Sequence, residues 1–478
     1  MGYIKGRKGI KLAGFGILLV NLFIAGNTAA KAQDNPWNQV KTIVSQIEKP
    51  VFQDQTFNIL DFGAKQDGKT NAAEAINNAI KACHKEGGGT VMVPKGTFYT
   101  GAIHLLSNVN LHVSEGATLL FSVDPKDYLP LVYTRWEGID CYNYSPLIYA
   151  NGQKNIAVSG KGILQGNASK KDWWIWKGQT AYGWKEGKPS QLLPHARPAL
   201  DAANDAEKPI EERKMGEGFY LRPQFINFVN CKDVLIEDVT IENSPFWVIH
   251  PLFCENMTVK GVHINSLGPN NDGCDPESCT NVLIEDCYFN TGDDCIAIKS
   301  GRNRDGIKAN LPSENIVVRH CFMENGHGGV VIGSEISGGA RNVFVEDCKM
   351  DSPELDRAIR IKTNSNRGGI VENVYVRKVE IGKVKEAVLR INCNYDVKKE
   401  GLGTYFPVVR NINLSGVTCS SSKYGLLLEG IEGQNCIYDI RVSDSKFEGV
   451  VKGNNIEFAN DVMFKDVYIN GELYSITD

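Results

Sequence analysis

The sequence lacks a membrane span, because crossing a bilayer as a helix takes about twenty largely apolar residues. Its apolar stretch near the start, Leu12 to Ala25, covers fourteen and follows a basic opening of Lys5, Arg7, Lys8 and Lys11. Ala30-Lys31-Ala32 then offers a small-x-small cleavage site, so residues 1–32 read as an export signal and not as an anchor. No cysteine follows that cut, which argues against a lipid-anchored start. The mature chain would be exported, to the periplasm or outside the cell, with no membrane attachment. Positive charge is also lacking. Removing the leader takes five Lys/Arg and no acids, moving the formal charge from −4 to −9. A nucleic-acid partner is excluded on that balance, and an anionic substrate would need a local cluster of bases.

A disulfide framework is missing as well, despite thirteen cysteines in a chain read as exported. Cys287, Cys321 and Cys348 each lie six residues after an asparagine, and Val262, Val379 and Val417 hold the same slot in other copies of one phrase. A slot shared by Val and Cys is small, apolar and buried, so most of these thiols read as core, neither bridges nor metal ligands.

That phrase dominates what is present. From about residue 225 the chain runs DVLIEDVTI, NMTVKGVHI, NVLIEDCYF, NIVVRHCFM, NVFVEDCKM, NVYVRKVEI and NINLSGVTC. Counting from the Asn (Asp233 in the first copy), apolar residues fall at +1, +3, +6 and +8, a strand pattern broken by a bend. Copies recur every 23 to 38 residues, so the insertions between them are loops. A coil of this kind cannot bury its inward face alone and must stack on its neighbours. The expected fold is all-β: a single right-handed parallel β-helix over 57–478, behind an N-terminal extension at 33–56. Ala72 to Lys85 has helical spacing and ends at Gly87-Gly88-Gly89, a helix suited to capping the open end of the solenoid. Residues 166–220 carry no repeat but hold Trp173, Trp174, Trp176 and Trp184. They read as a long loop over a cleft, its indoles either stacking on sugar rings or anchoring the loop.

The chemistry concentrates in four places. Asp272, Asp293 and Asp294 lie 21 and 22 positions apart, about one coil, so stacking brings three carboxylates to one patch. Like charges force one pKa up, giving a protonated acid beside ionised bases, the division of labour that glycoside hydrolysis needs. Asp275, Asp286 and Asp347 read instead as turn residues. Gly326-His327-Gly328-Gly329 sets a histidine in a loop able to approach a ligand. In AIRIKT, 358–363, Ile359 and Ile361 face the core, so Arg360 and Lys362 emerge together on the outer face. Acids for the chemistry beside bases for a sugar carboxylate suit a hydrolase of an acidic sugar.

These residues carry a resemblance to glycoside hydrolase family 28, the polygalacturonases, in a bacterial exo-type form. The family's motifs stand in order as Asn270-Asn271-Asp272, Gly292-Asp293-Asp294, Gly326-His327-Gly328 and Arg360-Ile361-Lys362, with Asn271 where the family has Thr. The opening FNILDFGAKQDGKTN, 57–71, is similar to the start of bacterial members. The resemblance implies hydrolysis of α-1,4-galacturonide links in pectin with inversion, without metal or other cofactor. It implies Asp293 as general acid, Asp272 and Asp294 holding and activating water, and His327 supporting the acid or orienting substrate. Asn270, Arg360 and Lys362 would bind substrate. The expected partner is a pectic polysaccharide, and the expected state a monomer. Coil spacing by itself points to the shorter carboxyl separation, which ordinarily goes with retention. The Trp-rich loop and Gly333-Ser334-Glu335 favour exo action. An endo-polygalacturonase and a rhamnogalacturonan or xylogalacturonan hydrolase remain as near alternatives. A Ca²⁺-dependent pectate lyase and a non-catalytic polysaccharide-binding β-helix are the distant ones.

Overall fold

The computed structural model describes residues 35–474. Residues 1–32, read above as an export signal, lie outside the described residues, and no described helix is long and apolar enough to cross a membrane. Each copy of the phrase forms two short strands. In the copy at 281–289, Thr280–Glu285 and Tyr288–Thr291 are separated by a bend. The bend is built by a left-handed residue at +5, where Asp238, Asp286, His320, Asp347 and Lys378 all have positive φ. Asn at position 0 is also left-handed, as at Asn256, Asn281, Asn315 and Asn342 (φ 57 to 58°). Asn and Asp tolerate that conformation better than other side chains, which explains why they open and turn each copy.

Parallel pairing then stacks like positions. Val234 pairs with Met257, Met257 with Val282, Val282 with Ile316, and Ile316 with Val343. The result is a right-handed parallel β-helix whose long face is a 24-stranded sheet. A second parallel face holds the strands Ile296–Ile298, Val330–Gly333, Arg357–Lys362, Ala387–Asn392, Tyr424–Glu429 and Asn455–Glu457. Isolated bridges at Cys274 and Glu277 link it to Ile249–Leu252 and the earlier coils. The +1, +3, +6 and +8 residues are core throughout, for example Val282, Ile284, Cys287 and Phe289. All thirteen cysteines are buried and unpaired, as the Val/Cys slot implies.

The helix Ala73–Lys85 buries Ile76, Ala79, Ile80 and Cys83 over the first rung, as expected of a cap. Its glycine stop is sterically required: a Cβ on Gly88 would lie 2.4 Å from the Asn108 carbonyl oxygen. A further helix, Asn38–Gln46, occupies the N-terminal extension and lays Val40 and Ile43 on Leu283, Val317 and Phe344. These are outward +2 residues of successive coils, so the helix straps the outside of the solenoid. Arg377 completes the strap, its guanidinium 3.9 Å from the centre of the Trp37 ring.

Two excursions from the repeat border the second face. Val132–Trp136 and Ile139–Asn143 form an antiparallel hairpin whose two-residue turn is Glu137-Gly138, both with positive φ. The segment 166–220 is folded, with a short helical turn at Trp173–Lys177 and a helix at Arg197–Asp205. Trp136, Ile139, Leu200, Met215, Phe246 and Trp247 form a satellite core that joins hairpin, insertion and barrel.

Candidate active site

The coils rise from Asp272 through Asp293/Asp294 and His327 to Arg360/Lys362, each group placed at or just before a strand of the second face. Stacking brings them together as expected: one carboxylate oxygen from each of Asp272, Asp293 and Asp294 lies within 4.8 Å of the other two. Asp272 and Asp293 open into a cavity of about 350 Å³ that Asn270, His327, Arg360 and Lys362 also line, with Asp294 fully buried behind its wall. The alternation in 358–363 is as expected too, with Ile359 and Ile361 in the core and Arg360 and Lys362 turned to the cavity.

The charges are interleaved instead of forming an acid patch beside a basic one. Lys362 Nζ lies 2.6 Å from Asp294 Oδ2, and Arg360 Nη1 lies 3.5 Å from Asp294 Oδ1. Lys299 Nζ lies 3.4 Å from Asp272 Oδ2 and 3.2 Å from Glu335 Oε2, over the Trp247 ring at 4.4 Å. His327 Nδ1 lies 2.9 Å from Asp293 Oδ1. Each member of the acid trio thus has its own cation. A cation at the trio would have to compete with these protein cations for the same carboxylates.

The electrostatics divide the carboxyls. Burial, and next the charge of Asp293, push Asp272 up to about 8. Burial alone would raise Asp293 too, but the hydrogen bond and charge of His327 outweigh it and hold Asp293 well below the usual carboxylate range. His327 is raised to about 9 by that same hydrogen bond and charge. These shifts favour a protonated Asp272 and an imidazolium–carboxylate pair at His327–Asp293. Asp272 Oδ1 and Asp294 Oδ1 are buried with no hydrogen-bond partner among the described residues.

Several expectations need correction. Asp275 is no turn residue: it sits fully buried on the bridge segment following Asp272, neither oxygen hydrogen-bonded among the described residues, and burial raises it well above the carboxylate range. Asp286 and Asp347 do occupy left-handed turns. Gly326 meets protein instead of ligand, because a Cβ there would lie 2.6 Å from the Asp293 carbonyl oxygen. The four tryptophans of 166–220 stay out of the cavity lining. Trp173 is buried between Tyr128 and Trp176, and Trp174 donates its indole N–H to the Ser244 carbonyl. The cavity's tryptophan is Trp247, and the insertion supplies Lys177 and Arg197. Asn270 lines the cavity, but its side-chain oxygen accepts from Lys177 Nζ at 2.6 Å and Arg222 Nη2 at 2.9 Å.

Residue-by-residue reading missed Lys299, Trp247, Lys177, Glu137, Arg302, Arg367, Tyr395 and Glu400, all in the lining. A signal existed for Lys299 alone: Ile296 and Ile298 are inward, so Ala297 and Lys299 alternate outward in the same register as Arg360 and Lys362.

The profile of the glycosyl hydrolases family 28 matches residues 213–468. The chain belongs to this family. A second profile, rhamnogalacturonase A/epimerase, pectate lyase-like, matches residues 56–112 at the capped end. Among solved structures, a hyperthermoactive exopolygalacturonase from Thermotoga maritima superposes with a TM-score of 0.88 at 44% identity, covering 91% of this chain and 96% of that one. A probable polygalacturonase of Vitis vinifera is 30% identical over 392 residues, 78% of this chain and 70% of the relative. An exo-poly-alpha-D-galacturonosidase of Dickeya chrysanthemi is 28% identical over 76% of this chain and 60% of its own length. As a family 28 member, the chain is a glycoside hydrolase.

Proposed function

We propose that this hydrolase releases galacturonic acid from the ends of α-1,4-galacturonan chains by single displacement with inversion. The observation that carries the reading is the acid trio in which each carboxylate faces a different cation. Asp293, in its pair with His327, donates the proton to the leaving glycosidic oxygen. At rest that proton sits on the imidazole. A bound sugar that excludes water disfavours the separated charges and favours the neutral pair, so the proton moves to Asp293 as the site fills. Asp272 Oδ1, free of hydrogen bonds, and Asp294 Oδ1, with only Arg360 Nη1 at 3.5 Å, hold one attacking water, and Asp294, ion-paired with Lys362, takes the water's proton. Arg360 and Lys362 face the carboxylate of the leaving sugar. A water gripped by two carboxyl groups, one protonated and one ionised, fits inversion into a separation that otherwise accompanies retention.

Exo action is supported by the walls that rise from outside the repeat. The Glu137 hairpin, the 166–220 insertion and the segment around Tyr395–Glu400 all border the cavity. The exo names of the Thermotoga and Dickeya relatives agree. The protein is read as exported and monomeric, acting on pectic polysaccharide. A time course on homogalacturonan with wild type and Asp293→Asn tests the reading. Galacturonic acid alone from the first minutes, in the β form by NMR, is the expected product. The variant is expected to lose about 10²–10⁴-fold in kcat. A ladder of oligomers makes the enzyme endo, and an α product makes it retaining.

A further inference from the structure

One lysine of the cavity lining has a charge that the fold leaves unanswered. Lys177 ends the helical turn Trp173–Lys177 of the insertion, and its ammonium donates to the Asn270 side-chain oxygen at 2.6 Å. Every other lysine and arginine of the lining is ion-paired among the described residues, Arg197 to Glu137 and both Arg302 and Arg367 to Glu400 among them. No carboxylate pairs with Lys177 among the described residues. An ammonium carries three donors, and Asn270 satisfies one of them. Burial pushes the lysine's pKa down, and the more distant charges of Glu137 and Asp293 do not offset it.

The position is held firmly. Arg222, fully buried, donates to the same Asn270 oxygen at 2.9 Å and to the Pro269 carbonyl at 2.6 Å. Trp173 and Trp176 pack edge to face at 4.8 Å and pin the turn from behind. Asn270 stands two residues before Asp272, on the first of the four coils that build the site, whereas Arg360 and Lys362 stand on the last. The acids therefore lie between two cationic groups, of which one is already engaged by Asp294 and the other has no anion.

We propose that Lys177 recognises the carboxylate of the chain-terminal galacturonate, the sugar across the scissile bond from the one facing Arg360 and Lys362. This rests on the exo-hydrolase reading above and names the residue that sets its specificity. The insertion then does two things with one element: it closes the groove, and it delivers the charge that only an acidic terminal sugar answers.

The test compares digalacturonate with its analogue methyl-esterified on the terminal, non-reducing sugar, using wild type, Lys177→Met and Lys177→Arg. Wild type is expected to prefer the free acid. Lys177→Met is expected to lose roughly 10- to 100-fold in kcat/KM on the free acid, the worth of a charge-assisted hydrogen bond, with little change on the ester. Lys177→Arg is expected to restore part of the preference. Equal losses on both substrates, or a preference that survives in Lys177→Met, overturns the assignment while leaving the hydrolase reading intact. No release by wild type from either substrate or from homogalacturonan overturns both. A binding arm is independent of turnover: galacturonate measured by calorimetry against Asp293→Asn is expected to weaken when Lys177→Met is added, and an unchanged dissociation constant counts against the assignment.

Discussion

Two rows of polar side chains run up this solenoid and obey opposite rules. On the long face, Asn155, Asn281, Asn315, Asn342, Asn373 and Asn411 each donate a side-chain amide hydrogen to the side-chain oxygen of the residue one coil below, at 2.7 to 3.1 Å. On the second face, the outward residues of successive coils differ: Glu277, Lys299, Gly333, Lys362. An amide donates and accepts at once, so identical amides satisfy one another indefinitely up a stack. Like charges on neighbouring coils repel, so each must find an opposite from another coil or a loop: Arg360 and Arg390 stack in register, and Arg360 meets Asp294 while Arg390 meets Glu429. Uniformity marks the row that holds the solenoid together, and heterogeneity marks the row that lines the candidate site.

The largest effect that sharpens this contrast is expected from Lys299→Met. Removing the ammonium leaves Asp272 and Glu335 facing each other in a buried site, at a cost of about 3–5 kcal/mol, measurable by urea denaturation at pH 7. A change under 1 kcal/mol would mean that the cleft floor tolerates unpaired charge and that the rule drawn here is wrong.

The cleft row should also impose a pH dependence that the amide row lacks. Asp272 is raised from 3.8 to about 8, so the folded state holds a proton that the unfolded state gives up, and stability falls as pH rises between those values. His327, raised from 6.5 to about 9, adds stability that is complete below 6.5 and lost as pH rises through 9. Asp272→Asn is expected to flatten the curve by up to about 1.4 kcal/mol per pH unit between about pH 4 and 8. A melting-temperature series across that range reads it out. Parallel curves for variant and wild type would remove Asp272 as the protonated member of the trio.

In the amide row, Asn315→Ala breaks the ladder on both sides and removes a residue suited to φ 58°. The expected loss is about 1–3 kcal/mol, insensitive to pH. Smallest of all should be Cys321→Val, which puts into one coil the residue that neighbouring copies already use. Its cost should stay under about 1.5 kcal/mol in thermal unfolding. A larger cost would show that the cysteines of the stack are not interchangeable core.

The sequence made the solenoid legible because its rule is local: inward residues at fixed steps, left-handed Asn and Asp at the bends, and a coil length near the spacing of the acids. For the same reason Asp272, Asp293, Asp294, His327, Arg360 and Lys362 could be placed in one site before any coordinates. Asp275 was misread because a buried outward aspartate and a turn aspartate look alike within one coil. Lys177 was unreadable because it enters from an insertion with no period, and of the two roles open to the tryptophans beside it, stacking on sugar or anchoring the loop, Trp173, Trp174 and Trp176 take the second.

The sequence by itself thus determined the architecture, the family and the candidate residues that stacking brings together. Only the tertiary structure decided how the charges are shared: that burial raises Asp272, that His327 pairs with Asp293, that Lys299 and Lys362 are engaged by acids and Lys177 forms no ion pair among the described residues. The physical reason is range. Backbone periodicity is written in neighbours along the chain, whereas protonation and ion pairing depend on distances of 3 to 5 Å between side chains from separate coils and loops, in surroundings whose burial no single coil contains.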